Sequence, residues 1–76
     1  MNKITNIKFL KNHQIQVNFN NGLDKILFCE AFIGDDTLTS PLREENYFHK
    51  AKIYENGRGI YWPNQFDICA DFIYAE

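Results

Sequence analysis

No long apolar run is present in the chain. Nothing in its 76 residues approaches the roughly 20 consecutive apolar positions that a membrane-spanning helix requires. Met1 to Leu10 likewise holds no continuous apolar stretch of the kind that marks a secretory leader, so no signal peptide is expected. Basic charge is not in surplus: eight Lys and Arg stand against ten Asp and Glu, and the sequence pI is about 5.6. The cations Lys3, Lys8, Lys11, Lys25, Arg43, Lys50, Lys52 and Arg58 are scattered rather than gathered into the patch that a phosphate backbone demands. Direct nucleic-acid binding is therefore not expected. Cysteine is scarce too. Cys29 and Cys69 both lie among apolar neighbours, which fits buried free thiols in a reducing compartment better than a disulfide framework. The expected location is the cytoplasm. Repeats, low-complexity tracts and linkers are missing, and residues 1–76 read as a single domain.

Catalytic motifs are lacking as well. There is no G-x-x-x-x-G-K, no G-x-S-x-G and no H-E-x-x-H. Gly57-Arg58-Gly59 reads as a hairpin turn, because no helix start follows it to offer free N–H groups to a phosphate. His13, Cys29, His49 and Cys69 are soft ligands, but they lack the close pairs found at zinc sites. A Cys–His nucleophilic pair would need a spatial adjacency that spacing does not show. Asp35-Asp36 with Thr37 supplies too few fixed ligands for calcium and reads as solvated loop charge. No catalytic residue, cofactor site or metal site is expected, and the chain is not expected to be an enzyme.

What the sequence has in quantity is aromatic side chains: seven Phe, four Tyr and one Trp. A domain this small buries only about 60% of its unfolded surface, and rings of roughly 150–250 Å² each compensate. Their placement follows a strand period. Ile7 and Phe9 alternate with polar residues in a somewhat irregular strand over Ile4 to Leu10. Ile15, Val17 and Phe19 alternate more cleanly with amides. Asn21-Gly22 is a strong hairpin signal, and Leu23 to Phe28 is the next strand. These three strands predict an antiparallel meander. Cys29 to Gly34 either extends the last strand or forms a short helical turn, and Asp35 to Pro41 is a loop. Arg43 to His49 reads as a short helix, with acids in its first turn and His49 at its end.

A second hairpin follows, Ala51 to Tyr54 and Gly59 to Trp62, joined at Asn56-Gly57. Pro63 stops the second strand because it has no N–H for a ladder. Asp67 then reads as the N-cap of a terminal helix, Ile68 to Tyr74, rather than as a general base. Ile68 and Phe72, four apart, lie on its apolar face. The fold class is α+β: a small antiparallel sheet, meander plus second hairpin, with two short helices, the last at the C-terminus.

The run Ile60-Tyr61-Trp62-Pro63-Asn64, followed by Asp67-Ile68 and Tyr74, resembles the closing signature of the bacterial DUF2442 domains. There a strand ends in Trp-Pro-Asn-Gly and continues through a small residue, Asp and an apolar residue to a final Leu-Tyr. Val17-Asn18-Phe19-Asn20-Asn21-Gly22 is similar to the hairpin of that family, and Pro41-Leu42 with Phe48 to its proline-leucine segment. The resemblance covers nearly the whole chain. It implies an α+β domain of the kind named after the N-terminal domain of a Nitrosomonas protein, and an activity left open by a family named for its unknown function. Members resemble components of small two-gene modules, often beside a small toxin-like protein. Some carry a C-terminal helix-turn-helix, which is not expected in a chain ending at Glu76. The sequence departs from the family at Gln65 and Phe66, where Gly and a small residue stand. A Gly at 65 implies a positive φ, uncommon for Gln.

Trp62 is read as core. Tyr61, its neighbour on a strand, then faces outward beside Arg58. Tyr61, Arg58, Gln65 and Phe66 are the candidate protein-interaction residues. The leading expectation is a non-enzymatic protein-binding domain resembling the antitoxin-like partner of a toxin–antitoxin type module, with a protein partner and a homodimer both open. The alternatives are a small phage- or element-borne inhibitor of a host defence protein, or a small-molecule-sensing domain. An exposed sheet edge is a second route to docking, by strand addition.

Overall fold

Period-2 alternation builds the first half of the molecule. The computed structural model describes residues 2–75, in which β1 (Ile4–Leu10), β2 (Gln14–Phe19) and β3 (Asp24–Phe28) form an antiparallel sheet in the order β1-β2-β3. Ile15, Val17 and Phe19 are buried on one face. The irregularity in β1 has a structural cause. Apolar residues at 4, 7 and 9 cannot share one face of a regular strand. A bulge between Ile4 and Asn6 re-phases the chain, so that Ile4 stands opposite Phe19, Ile7 opposite Val17 and Phe9 opposite Ile15. The β2–β3 turn closes at Gly22 with φ 88°, and the Asn21 side-chain oxygen accepts the Leu23 N–H at 3.0 Å.

The chain leaves this sheet through a 3-10 turn at Cys29–Ala31, settling that segment as helical. Asp36 organises the loop beyond: its carboxylate accepts the Leu38 and Thr39 N–H groups at 3.0 and 2.8 Å and the Thr39 hydroxyl at 2.6 Å. The helix expected over Arg43 to His49 is shorter and divided. Ser40–Arg43 is a 3-10 turn led by Pro41, Glu44 is extended, and α1 is Glu45–Phe48. Glu44 caps α1, its side chain accepting the Tyr47 N–H at 2.9 Å.

The second hairpin is in fact a second three-stranded sheet. β4 (Lys52–Ile53), β5 (Gly59–Tyr61) and β6 (Asp67–Cys69) run antiparallel in that order. Asp67 therefore opens a strand and is not a helix cap, and the terminal helix α2 spans Ala70–Ala75 rather than starting at Ile68. The turn after Trp62 explains the difference. Gln65 N–H donates to Trp62 O at 2.8 Å and Trp62 N–H to Phe66 O at 2.9 Å, which sends the chain straight back and lays Ile68 opposite Ile60. Gly59 makes the close pairing with β6 possible, since a Cβ there would sit 2.6 Å from the Ile68 carbonyl oxygen.

The two sheets meet where Ile4 N–H donates to Gly57 O at 2.8 Å. Trp62, Phe48, Leu42, Ile60 and Ile73 are fully buried and join the β2 residues in one core. The Trp62 indole N–H donates to the Phe48 carbonyl at 3.0 Å, so the largest ring in the core carries no unpaired donor.

Candidate functional site

With Trp62 facing the core, strand alternation turns Tyr61 to the outer face of the second sheet. There it meets Tyr54, which precedes the β4–β5 turn: the two rings stack at 4.5 Å between centroids with 25° between planes. The guanidinium of Arg58 lies 3.8 Å from the Tyr54 ring centroid, a cation–π contact. The Tyr54 hydroxyl donates to Asp67 Oδ2 at 2.6 Å. That bond holds the Tyr54 phenol above its ordinary range, because ionisation would remove the donor and set two negative charges together. Asp67 thus serves a tyrosine. Arg58 and Tyr61 are brought together through Tyr54, which the sequence reading passed over.

Gln65 and Phe66 lie apart from this stack, in the turn. Gln65 is exposed and adopts φ 74°, the left-handed conformation that Gly favours. Phe66 does not stand free as bulk on the surface: it is half-buried, its ring 5.7 Å from that of Trp62. Asn64 ties the turn to the rest of the fold. Its N–H donates to the Tyr47 hydroxyl at 3.1 Å and its side-chain amide to the Leu38 carbonyl at 3.0 Å, while its Oδ1 accepts the Phe66 N–H at 3.1 Å.

The groups considered for metal or nucleophilic chemistry are dispersed. His13 and His49 flank Glu45, at 3.9 and 3.6 Å from its two carboxylate oxygens. Among the described residues no three His, Cys, Asp or Glu side chains are arranged to hold a metal ion. Both thiols are free. Cys29 is buried, and burial pushes its thiol up to about 12. Cys69 is exposed, against the expectation of two buried thiols, because it points from the outer side of β6 while Ile68 takes the inner one.

A different surface emerges along β3. Five large apolar side chains are more than a third exposed among the described residues, and Leu23, Ile26, Phe28 and Phe72 are four of them. The fifth, Leu38, lies elsewhere. Ile26 and Phe28 lie on the side of β3 opposite buried Leu27. A groove of about 520 Å³ runs along the strand from Asp24 to Phe28, with the charged Asp24 and Lys25 at one end and Ala31, Phe32 and Phe72 forming its other wall. The rings of Phe32 and Phe72 meet edge to face at 5.9 Å. Among the described residues β3 is also an edge strand, paired with β2 alone. Phe19 N–H bonds to Leu23 O and Cys29 N–H to His13 O. By the alternation of an antiparallel ladder, Lys25 and Leu27 then address β2 with their backbone groups, while the N–H groups of Asp24, Ile26 and Phe28 point away from it. One sequence signal did point here: Ile26-Leu27-Phe28 is a run of three apolar residues, and a strand with one buried face must expose at least one of them; here Leu27 is buried, so two are exposed.

The model of a protein family of unknown function, DUF2442, matches residues 4–76. The chain belongs to the DUF2442 family. Neither a curated protein nor a solved structure matches it. In this DUF2442 domain the signature Trp62-Pro63-Asn64 is architectural: Trp62 fills the core and Asn64 pins the β5–β6 turn to α1 and the Asp36 loop. Among the described residues no helix is long and apolar enough to cross a membrane.

Proposed function

We propose that this DUF2442 domain is a non-enzymatic protein-binding module, akin to the antitoxin-like partner of a small two-gene module, and that it docks through the β3 edge and the apolar groove beside it. The observation that carries this reading is the exposure of Ile26 and Phe28 on an edge strand, with Leu23 in the turn before it and Phe72 on α2 beside it. Exposed apolar residues scattered singly need no explanation, but apolar side chains on both faces of a sheet edge, beside backbone groups directed outward, suit an added strand with side-chain pockets. The outer-face stack of Tyr54, Tyr61, Arg58 and Asp67 supports docking less well, since the Tyr54 hydroxyl, the Asp67 carboxylate and the Arg58 guanidinium are already engaged within it. The two free thiols support the expected cytoplasmic location.

Co-expression with the products of adjacent genes, followed by affinity capture, tests the proposal. A stable complex is expected, weakened at least about tenfold by Phe28→Asp, as when a central apolar anchor is lost, and little changed by Tyr61→Ala. Absence of a complex with any neighbouring product, or one indifferent to Phe28→Asp, would defeat it.

A further inference from the structure

We infer that the occupant of the β3 edge in the isolated protein is a second copy of the chain, paired β3 to β3 about a two-fold axis at Ile26 to make a continuous six-stranded sheet. The inference rests on the reading of β3 as the docking edge and names what covers that edge when the protein is on its own. The argument begins with parity. In an antiparallel pair the residues that exchange hydrogen bonds stand directly opposite each other. With Ile26 on the axis, Ile26 faces its own mate and Asp24 faces Phe28 of the other copy, so every outward N–H of the strand enters the new ladder. Both neighbouring registers are poorer. One sets the two Lys25 side chains directly opposite on the same face, where like charges destabilise. The other slides the ladder into the 3-10 turn at Cys29–Ala31, where the chain is no longer extended.

The side chains suit the same axis. On the outer face the two Ile26 side chains meet and each Phe28 overhangs the partner strand. On the inner face the groove walls of the two copies, Phe32 and Phe72, face each other across the joined strands. The area is of the right size. At their observed exposures Leu23, Ile26, Phe28 and Phe72 present on the order of 400 Å² per copy, given whole side chains of roughly 150–250 Å². With the edge backbone, a pair of copies would remove on the order of 1,000 Å² from water, the lower bound of a specific interface. The dimer is accordingly a reversible one, and closed, because the single β3 edge of each copy is consumed.

Sedimentation equilibrium over a wide concentration range, with amide exchange followed residue by residue, tests this. Mass is expected to rise from monomer to dimer and stop there. The Ile26 and Phe28 amides should gain protection as the dimer fills, while Lys25 and Leu27, bonded to β2, stay protected throughout. Ile26→Lys, at an exposed position that leaves the fold intact, places two charges on the axis and should raise the association midpoint at least about tenfold. Phe72→Lys, on the groove wall, provides a second, independent disruption. A chain that stays monomeric, or that associates without protecting Ile26 and Phe28, overturns the inference. If such a chain still forms a complex that Phe28→Asp abolishes, only the identity of the occupant is wrong. If no complex forms either, the docking-edge reading falls with it.

Discussion

Gln65 carries backbone strain that a single substitution can relieve. A non-glycine residue in the left-handed region costs roughly 1–2 kcal/mol, and glycine's greater unfolded freedom returns part of that, roughly 0.5–1 kcal/mol. Gln65→Gly, the residue of the family pattern, should therefore raise unfolding free energy by about 0.5–1 kcal/mol. Chemical denaturation checks it: an unchanged or lower midpoint would mean that the φ of 74° is not a source of strain. The two cysteines allow a second residue-level forecast. Cys69 is exposed, while the Cys29 thiol is buried and held protonated, and the thiolate is the reactive form. Under native conditions an alkylating reagent should modify Cys69 and leave Cys29 intact until the chain unfolds. Equal labelling rates by mass spectrometry would contradict the burial.

At the scale of elements, what the sequence revealed depended on how long its patterns ran. The β1–β2–β3 meander was legible in its strands because six residues of clean alternation precede an Asn-Gly turn, but a two-residue Asn-Gly turn would set Asn20 opposite Leu23, whereas a three-residue loop brings Phe19 there. β6 was hidden. Asp67-Ile68-Cys69 is too short to display a period, and the Ile68–Phe72 spacing equally suits a helix. Only the backbone bonds of the Trp62–Phe66 turn decide the matter. Of the two candidate surfaces, the geometry of one was legible. Tyr61 and Arg58 were placed together on the outer face, but no local pattern could tell that β3 would be an edge, since strand order is a property of the assembled sheet. The Asp36 loop has its own pH dependence. Hydrogen bonds from the Thr39 hydroxyl and amide hold the Asp36 carboxyl below its ordinary range. A lowered folded pKa stabilises the loop at every pH above the ordinary carboxylate range, and that contribution is lost as pH falls through the lowered value. The Leu38 and Thr39 amides should therefore stay protected in mildly acid solution and open only below the usual titration range of Asp. Asp36→Asn should leave them less protected at neutral pH and remove the acid step; an unaltered step would assign it to another group.

At the scale of the whole molecule, two small sheets become one core only if they stay in contact, and Gly57 is the point of contact. Its φ is 75°, and a Cβ there would lie 2.9 Å from the Ile4 carbonyl oxygen, a backbone atom that cannot swing away. Gly57→Ala should cost more than about 2 kcal/mol, combining the left-handed penalty with separation of β1 from the β4–β5 turn. Gly22→Ala, with open space around its φ of 88°, should cost only the left-handed penalty of roughly 1–2 kcal/mol. Thermal unfolding of the pair compares them, and equal losses would show that the sheet junction adds nothing. The same two turns also govern how the protein ages. An asparagine followed by glycine loses ammonia when the glycine nitrogen attacks the side-chain carbonyl. Here the Gly22 and Gly57 N–H groups are bonded to Phe19 O and Tyr54 O, and the Asn21 and Asn56 side-chain oxygens are held by Leu23 N–H and Arg58 N–H. Folding thus shields both sites from spontaneous deamidation, and each spell in the unfolded state advances a chemical clock that the native turns keep stopped.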